Sequence, residues 1–327
     1  MRIAVTGSIA TDHLMTFPGR FTEQLLADRL DRVSLSFLAD NLEVRRGGVA
    51  ANIAFGLGTL GLRPVLVGAV GADFDPYRVW LKDHGVDTDA VRVSASLHTA
   101  RFVCTTDREQ NQIATFYAGA MAEARAIELR DVVARVGRLE LVLVSPDDPE
   151  AMLRHTRTCR DLGIPFAADP SQQLARLGRD EVRELVDGAR FLFTNEYETA
   201  LLQERTGWPE AEVLRRVGAW VTTHGEAGVR VRGEGRAPLS VPAVRVPEVV
   251  DPTGVGDAFR AGFLAGTLWG VPEWCAARLG CAVAATVLDS VGTQEYRLRR
   301  DHLVERIRTT YGTACTAELL VHLAGLS

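Results

Sequence analysis

Asp251-Pro-Thr-Gly-Val-Gly-Asp257 sets two glycines, one residue apart, between two aspartates, and an apolar helical pattern (Ala258, Phe259, Ala261, Phe263, Leu264) begins at once. Glycine lets the backbone turn sharply, and a helix opening there leaves its first N–H groups unpaired. Those groups and the positive end of the helix dipole make a ready anion site. A carboxylate beside an anion site is out of place if the purpose is only to hold phosphate. It fits if Asp257 takes the proton of a hydroxyl while the N–H groups stabilise a phosphoryl group arriving at that oxygen. An Asp near a helix N-terminus is also an ordinary cap, so the indication of phosphoryl transfer comes from the combination of parts.

Gly47-Gly48-Val-Ala-Ala-Asn52 opens the helical run Ala50–Leu60, with Asn52 one turn above Gly48 on the same face. An amide over bare backbone can hold sugar hydroxyls, although Asn serves as often as a cap or surface residue. Asp12 closes Gly7-Ser8-Ile-Ala-Thr-Asp12 after the first strand, and ligands of open α/β sheets bind at strand carboxyl ends. A carboxylate there accepts hydrogen bonds from a vicinal diol; a turn-stabilising Asp is an even alternative. In Asn195-Glu-Tyr-Glu198 the spacing of three brings Asn195 and Glu198 to one helical face, placed to organise magnesium and water near nucleotide phosphates. Acidic residues in a first helical turn are common on other grounds. Thr222-Thr223-His224-Gly225-Glu226-Ala227-Gly228 ends a strand in a glycine turn suited to a nucleotide's ribose and phosphates, with His224 incidental for want of a paired nucleophile or second ligand. Gly56-Leu-Gly58-Thr-Leu-Gly61 fits G-x-G-x-x-G, but that fingerprint needs a strand before and a helix after. Here the order is reversed, so the match is a decoy.

Short apolar runs must position these residues. Strands are expected at Ile3–Gly7, Val65–Val70, Leu141–Ser145, Phe166–Asp169, Phe191–Asn195 and Trp220–Thr223. Between them lie helical patterns at Asp75–His84, Ala122–Val136, Pro149–Leu162, Asp180–Val186 and Glu196–Arg205, then Gly256–Leu268, Pro272–Leu288 and Asp301–Leu323. That alternation predicts an α/β fold with a mainly parallel sheet. Residues 12–45 show no single period. Arg101–Thr106 and Gln112–Tyr117, joined by polar Asp107–Asn111, read as a hairpin: a small lid sheet, or else an antiparallel edge of the main one.

The 327 residues, 46% hydrophobic, suit one large domain. A net charge of −5 gives no general electrostatic reason to bind nucleic acid or a membrane. Lys82 is the only lysine among 37 basic residues, and its Leu-Lys-Asp-His-Gly setting fits neither a P-loop nor a protein-kinase strand lysine, which excludes both classes. The N-terminus reads as a buried strand, no run suits a membrane span, and Cys104, Cys159, Cys275, Cys281 and Cys315 lack C-x-x-C spacing. Reduced thiols in a cytoplasmic protein are the expectation.

These motifs, in this order and across essentially the whole chain, resemble the PfkB, or ribokinase-like, carbohydrate kinase family. Gly47–Asn52 looks like its first signature, Asp251–Asp257 like its second, and Asn195–Glu198 like its N-x-x-E motif. Finer detail at Thr6–Met15, Phe166–Leu177 and Asp251–Phe263 looks like the actinobacterial adenosine kinases. The resemblance implies one doubly wound α/β domain over 1–327, with a β-sheet lid from about 12–45 and 97–120 that also forms a homodimer interface. It implies ATP-dependent phosphorylation of the adenosine 5′-hydroxyl to AMP, a purine-salvage reaction, with Mg2+ accompanying ATP. Asp257 is then the base and Gly254, Val255 and Gly256 the anion hole. Ser8, Asp12, Gly48 and Asn52 hold the ribose, while Asn195, Thr223 to Gly228 (Thr223, His224, Gly225, Glu226, Ala227, Gly228) and Gly256 contact ATP. Phe102 and Phe116, one from each lid strand, sandwich adenine, and Gln172 and Gln173 read its edge. Physically, aromatic faces stack on a purine for about 1–3 kcal/mol each, and glutamine amides both donate and accept. Phe102 and Phe116 packing only within the hairpin is the alternative. Pro252 and Val255 replace the family's more usual Thr and Ala without removing a donor from the turn. Some members bind K+ through carbonyls near Asp251, Thr253 and Ser290–Gly292. The rival readings are a sugar kinase of this family, a kinase for another nucleoside, or a catalytically silent member; intact Asp257, turn glycines and Asn195–Glu198 oppose the last.

Overall fold

A computed structural model of the chain describes residues 2–24 and 35–326. In the first strand, Ile3–Thr6, alternate side chains leave on opposite faces: Ile3 and Val5 enter one apolar core and Ala4 the other. Leu141–Val144 repeats this, with Leu141 and Leu143 in the first core and Val142 and Val144 in the second. Strands apolar on both faces belong inside a sheet covered on both sides.

That sheet has eight strands in the spatial order Leu239–Val241, Val229–Arg232, Ala219–Thr223, Phe191–Asn195, Phe166–Ala168, Leu141–Val144, Ile3–Thr6, Val65–Val67. The last six are parallel and the first two antiparallel. Helices Val49–Thr59, Val255–Trp269 and Glu273–Val287 supply one core, and Pro149–Leu162, Arg179–Val186 and Glu196–Thr206 the other. Strand order reverses at Ile3–Thr6, whose neighbours on its two sides are Val65–Val67 and Leu141–Val144. A doubly wound sheet has its ligand crevice beyond the carboxyl ends at such a reversal.

A separate four-stranded sheet, in the order Asn41–Gly47, Ala10–Thr16, Ala100–Thr106, Gln112–Tyr117, stands beside this crevice. The hairpin is therefore half of a lid, not an edge of the main sheet. The region without a clear period supplies the other half; residues 25–34 of the expected lid segment lie outside the described residues. The hairpin turn is tied down by Asp107, whose carboxylate accepts N–H groups from Phe21, Glu109 and Asn111.

Three expectations change. Val65–Val70 is two strands, because Gly68 packs where a Cβ would lie 2.6 Å from the Gly7 carbonyl oxygen, and Ala69–Val70 turns off to pair with Arg92–Val93. Ala122–Val136 becomes 3-10 turns at Gly119–Ala126 followed by helix Leu129–Val136. Asp301–Leu323 breaks at Gly312, whose φ of 82° ends Arg300–Tyr311 before Thr313–Leu319 begins. No helix among the described residues is long and apolar enough to cross a membrane.

Candidate active site

The crevice floor is the turn before Val255–Trp269. Gly254 has φ 80°, and a Cβ on it would meet the Thr293 side chain at 2.9 Å, so conformation and space both demand glycine. Asp251 braces the turn: its carboxylate accepts the N–H of Thr253 and of Gly292, each at 2.9 Å, with Arg45 of the lid at 3.5 Å. Burial opposes its charge, but these N–H groups outweigh it and hold its pKa below the usual carboxylate value. Among the described residues the N–H groups of Gly256 and Asp257 find no backbone acceptor, leaving them for an anion.

Asp257 lies in the first turn of that helix. Its side chain keeps some surface in the crevice, yet protein crowds it enough that lost hydration raises its pKa, against the pull of Arg260 and then Asn52. Asn52 Nδ2 donates to Asp257 Oδ2 at 2.8 Å. The Asn52 carbonyl accepts from the Thr293 hydroxyl and from Gln294 Nε2, both at 2.9 Å. Gln294 also donates to the Tyr77 hydroxyl, which donates to the Gly47 carbonyl, and accepts from Trp80 Nε1. A chain of buried amides therefore fixes one oxygen of Asp257, and its other oxygen makes no hydrogen bond among the described residues.

The residues expected to bind a sugar come together unevenly. Asp12, on the lid strand Ala10–Thr16, lies beside Gly47 without a hydrogen bond among the described residues, as suits a diol acceptor; burial pushes its pKa up to about 6, against Arg45. Ser8 is buried and its hydroxyl accepts the Val49 N–H, so it caps a helix. Gly48, φ 93°, approaches the chain's own backbone: a Cβ would lie 2.6 Å from Ala10 N and Ser8 O. Asn52 orients Asp257 where sugar contact was expected of it.

Arg45, Asp12, Phe102 and Phe116 form one row across the lid. Phe102 and Phe116 are direct cross-strand partners, so their rings rise side by side from one face, not from two walls across the crevice. Gln172 is exposed and bonded to the Ser171 hydroxyl. Gln173 is buried, and its Nε2 donates to the Asp147 carbonyl at 2.8 Å.

Among the residues expected to meet nucleotide, Asn195 and Glu198 cap their own helix reciprocally, each side chain accepting the other's N–H at 2.8 Å. Thr223 ends its strand at the same sheet edge, followed by the exposed turn Gly225–Ala227, with Gly225 at φ 53° and Gly228 at φ 98°. His224 pairs with Glu196 at 2.9 Å. Four participants were missed in the sequence: Tyr77, Asp169, Arg260 and Gln294. Only Arg260 carried a local signal, lying one turn beyond Asp257 on an otherwise apolar helix.

The pfkB family carbohydrate kinase model matches residues 6–299. A nucleoside kinase of Methanothermobacter thermautotrophicus is 31% identical over 81% of this chain and 85% of its own. The Burkholderia thailandensis nucleoside kinase, ligand-free, superposes with a TM-score of 0.83 at 35% identity over 93% of this chain and 99% of its own. That enzyme is also known in complexes with inosine and with ADP-inosine. A Bacillus subtilis ribokinase is 25% identical over 89% of this chain and 94% of its own.

Proposed function

The chain belongs to the pfkB family of carbohydrate kinases, and on that premise we propose that it is an ATP-dependent nucleoside kinase acting on the 5′-hydroxyl of adenosine and related purine nucleosides. The observation that carries this reading is Asp257: one oxygen is held by Asn52, the other has no hydrogen-bond partner among the described residues, and the unpaired N–H groups of the helix start lie beside it. The similarity to nucleoside kinases supports a nucleoside over a free sugar.

The nucleoside enters beneath the lid with its diol on Asp12 and its base along Phe102 and Phe116. Its hydroxyl oxygen bonds to the γ-phosphorus as the bond to the bridging oxygen of ATP breaks, and ADP leaves. The proton passes to the free oxygen of Asp257. The transition state is loose, so the proton leaves late and an ordinary carboxylate suffices. The N–H groups of Gly256 and Asp257 take up charge on the moving phosphoryl group. Magnesium supplies charge neutralisation when it arrives with the nucleotide; Asn195 and Glu198 would hold it through water. Asp251 brings residues 251–253 against 290–292, the segments expected to bind potassium, and stimulation by K+ over Na+ tests that expectation.

One observation favours breadth over strict adenosine specificity. Gln173 is committed to a backbone carbonyl and the two phenylalanines share one face, so the base meets few fixed polar groups. Inosine and guanosine are then substrates beside adenosine. The outer lid face bears exposed Leu42, Val44, Ile113 and Tyr117, an apolar surface suited to a second copy of this chain. Gel filtration of Val44→Glu/Ile113→Glu against the native protein tests this dimer.

The deciding experiment is ADP formation by the purified protein with adenosine, inosine, guanosine, cytidine, ribose and fructose. Purine nucleosides should exceed the sugars in kcat/KM by about tenfold or more, the scale set by unpaired polar and stacking groups. Turnover of a sugar with all nucleosides inert overturns the proposal.

A further inference from the structure

Arg260 is 8% exposed and sits one helical turn beyond Gly256 and Asp257. Helical side chains lean toward the N-terminus, so its guanidinium returns to the start of its own helix. Nη2 donates to Asp169 Oδ1 at 2.7 Å, and Nε lies 2.7 Å from Oδ2 in an ion-pair contact. Nη1 lies under the catalytic turn: a Cβ on Gly256 would be 2.9 Å from it. Asp169 is fully buried at the carboxyl end of Phe166–Ala168, directly before the Pro170–Gln173 segment. The pair thus ties the base-bearing helix to the opposite wall of the crevice.

Burying one carboxylate–guanidinium pair seldom benefits stability over an apolar pair of the same shape. A charge placed there needs another use. Burial works against Arg260's charge, and Asp169, then Asp257, more than offset it. Burial pushes Asp169 up to about 7, with Arg260 the main opposing influence. Contacts of 2.7 Å are those of an ionised pair, and that is the state we assign at neutral pH. Among the described residues the other groups around Asp257 are Asn52, which is neutral, Tyr77 and Tyr296, whose hydroxyls burial holds neutral, and Asp169, whose negative charge is paired with Arg260; Glu198 acts on Arg260 and Asp169. Arg260 is therefore the cation that faces the base.

We propose that Arg260 is a positioning residue: anchored on Asp169, it holds a fixed positive charge behind the catalytic turn, keeping Asp257 ionised and ready to accept the hydroxyl proton. The inference rests on the reading of Asp257 as base.

The test is single-turnover phosphorylation of adenosine at saturating ATP, from pH 5 to 9. Arg260→Met should move the acid limb up by about 1–2 pH units, so that on the acid side of both limbs the reaction is about 10- to 100-fold slower, the effect of removing an adjacent opposite charge. Arg260→Lys keeps the charge and should leave the limb in its native position. Asp169→Asn/Arg260→Met removes both buried charges together, so it folds if the lone aspartate of the single variant does not, and it should show a limb displaced in the same direction. Circular dichroism and ADP binding confirm each fold. A limb unmoved in the charge-free variants, or moved equally by Arg260→Lys, overturns the role. Asp257→Asn separates the two readings: if it retains turnover the base assignment fails, whereas its loss beside an unmoved limb in Arg260→Met sinks only Arg260.

Discussion

Asp12→Asn should make the protein more stable and less able to bind its nucleoside. The Asp12 carboxylate, half-buried on a lid strand, makes no hydrogen bond among the described residues, and burial raises its pKa from 3.8 to about 6. Between those values the folded protein holds the proton that the unfolded chain has released. Stability therefore falls as pH rises through that window, and the full deficit is present above about pH 6. A rise of roughly two pH units corresponds to about 3 kcal/mol at pH 7.5, and to about half of that at pH 5. Asparagine carries no charge to desolvate, so urea midpoints should show the variant ahead of the native protein by up to this amount at pH 7.5, with the gap narrowing by about half at pH 5. At the same time KM for adenosine should rise about tenfold or more, because the diol loses its charged acceptor. A stability gap that does not change between pH 5 and 7.5 would refute the desolvation reasoning, whatever its size.

Asp257→Asn should cut kcat by about 10²–10⁴-fold while adenosine binding, followed by calorimetry, changes little. Phe102→Ala and Phe116→Ala should each weaken adenosine binding by about 1–3 kcal/mol, mostly in KM and without loss of ADP affinity. His155 is buried and held neutral by desolvation, its pKa pushed down to about 4, so its contribution to stability is complete above pH 6.5 and is lost as pH falls toward 4. The loss approaches about 3 kcal/mol, and His155→Met should remove that acid sensitivity in urea titrations at pH 7.5 and 5.

The main sheet was legible because its strands are apolar on both faces and separated by amphipathic helices. Phe191–Asn195 and Pro149–Leu162 fall where periodicity put them. Half of the lid was not, because Ala10–Thr16 shows no alternation and Asn41–Gly47 alternates only over its first four residues, on a largely exposed strand. Signatures that combine glycine geometry with charge located the catalytic turn. Single polar residues carried less. Ser8 and Asn52 were read only as ribose ligands, and which protein partner each meets depends on residues far along the chain, Thr293 and Gln294 among them. The Asp169–Arg260 pair joins positions 91 residues apart, and no local pattern reports such a contact.

The strand order also bears on how the protein is made. Ile3–Thr6 leaves the ribosome well before its second partner, Leu141–Val144, which is synthesised about 140 residues later. At 5–20 residues per second, this apolar strand waits roughly 7–28 s for the neighbour that completes its ladder. Helix Val255–Trp269, which covers one of its faces and bears Asp257, arrives later still. The nascent chain thus carries an open sheet edge through much of its translation, a state prone to off-pathway association. Yield of active enzyme should therefore respond to expression temperature and to chaperones that shield the amino-terminal half, even where the finished fold is stable.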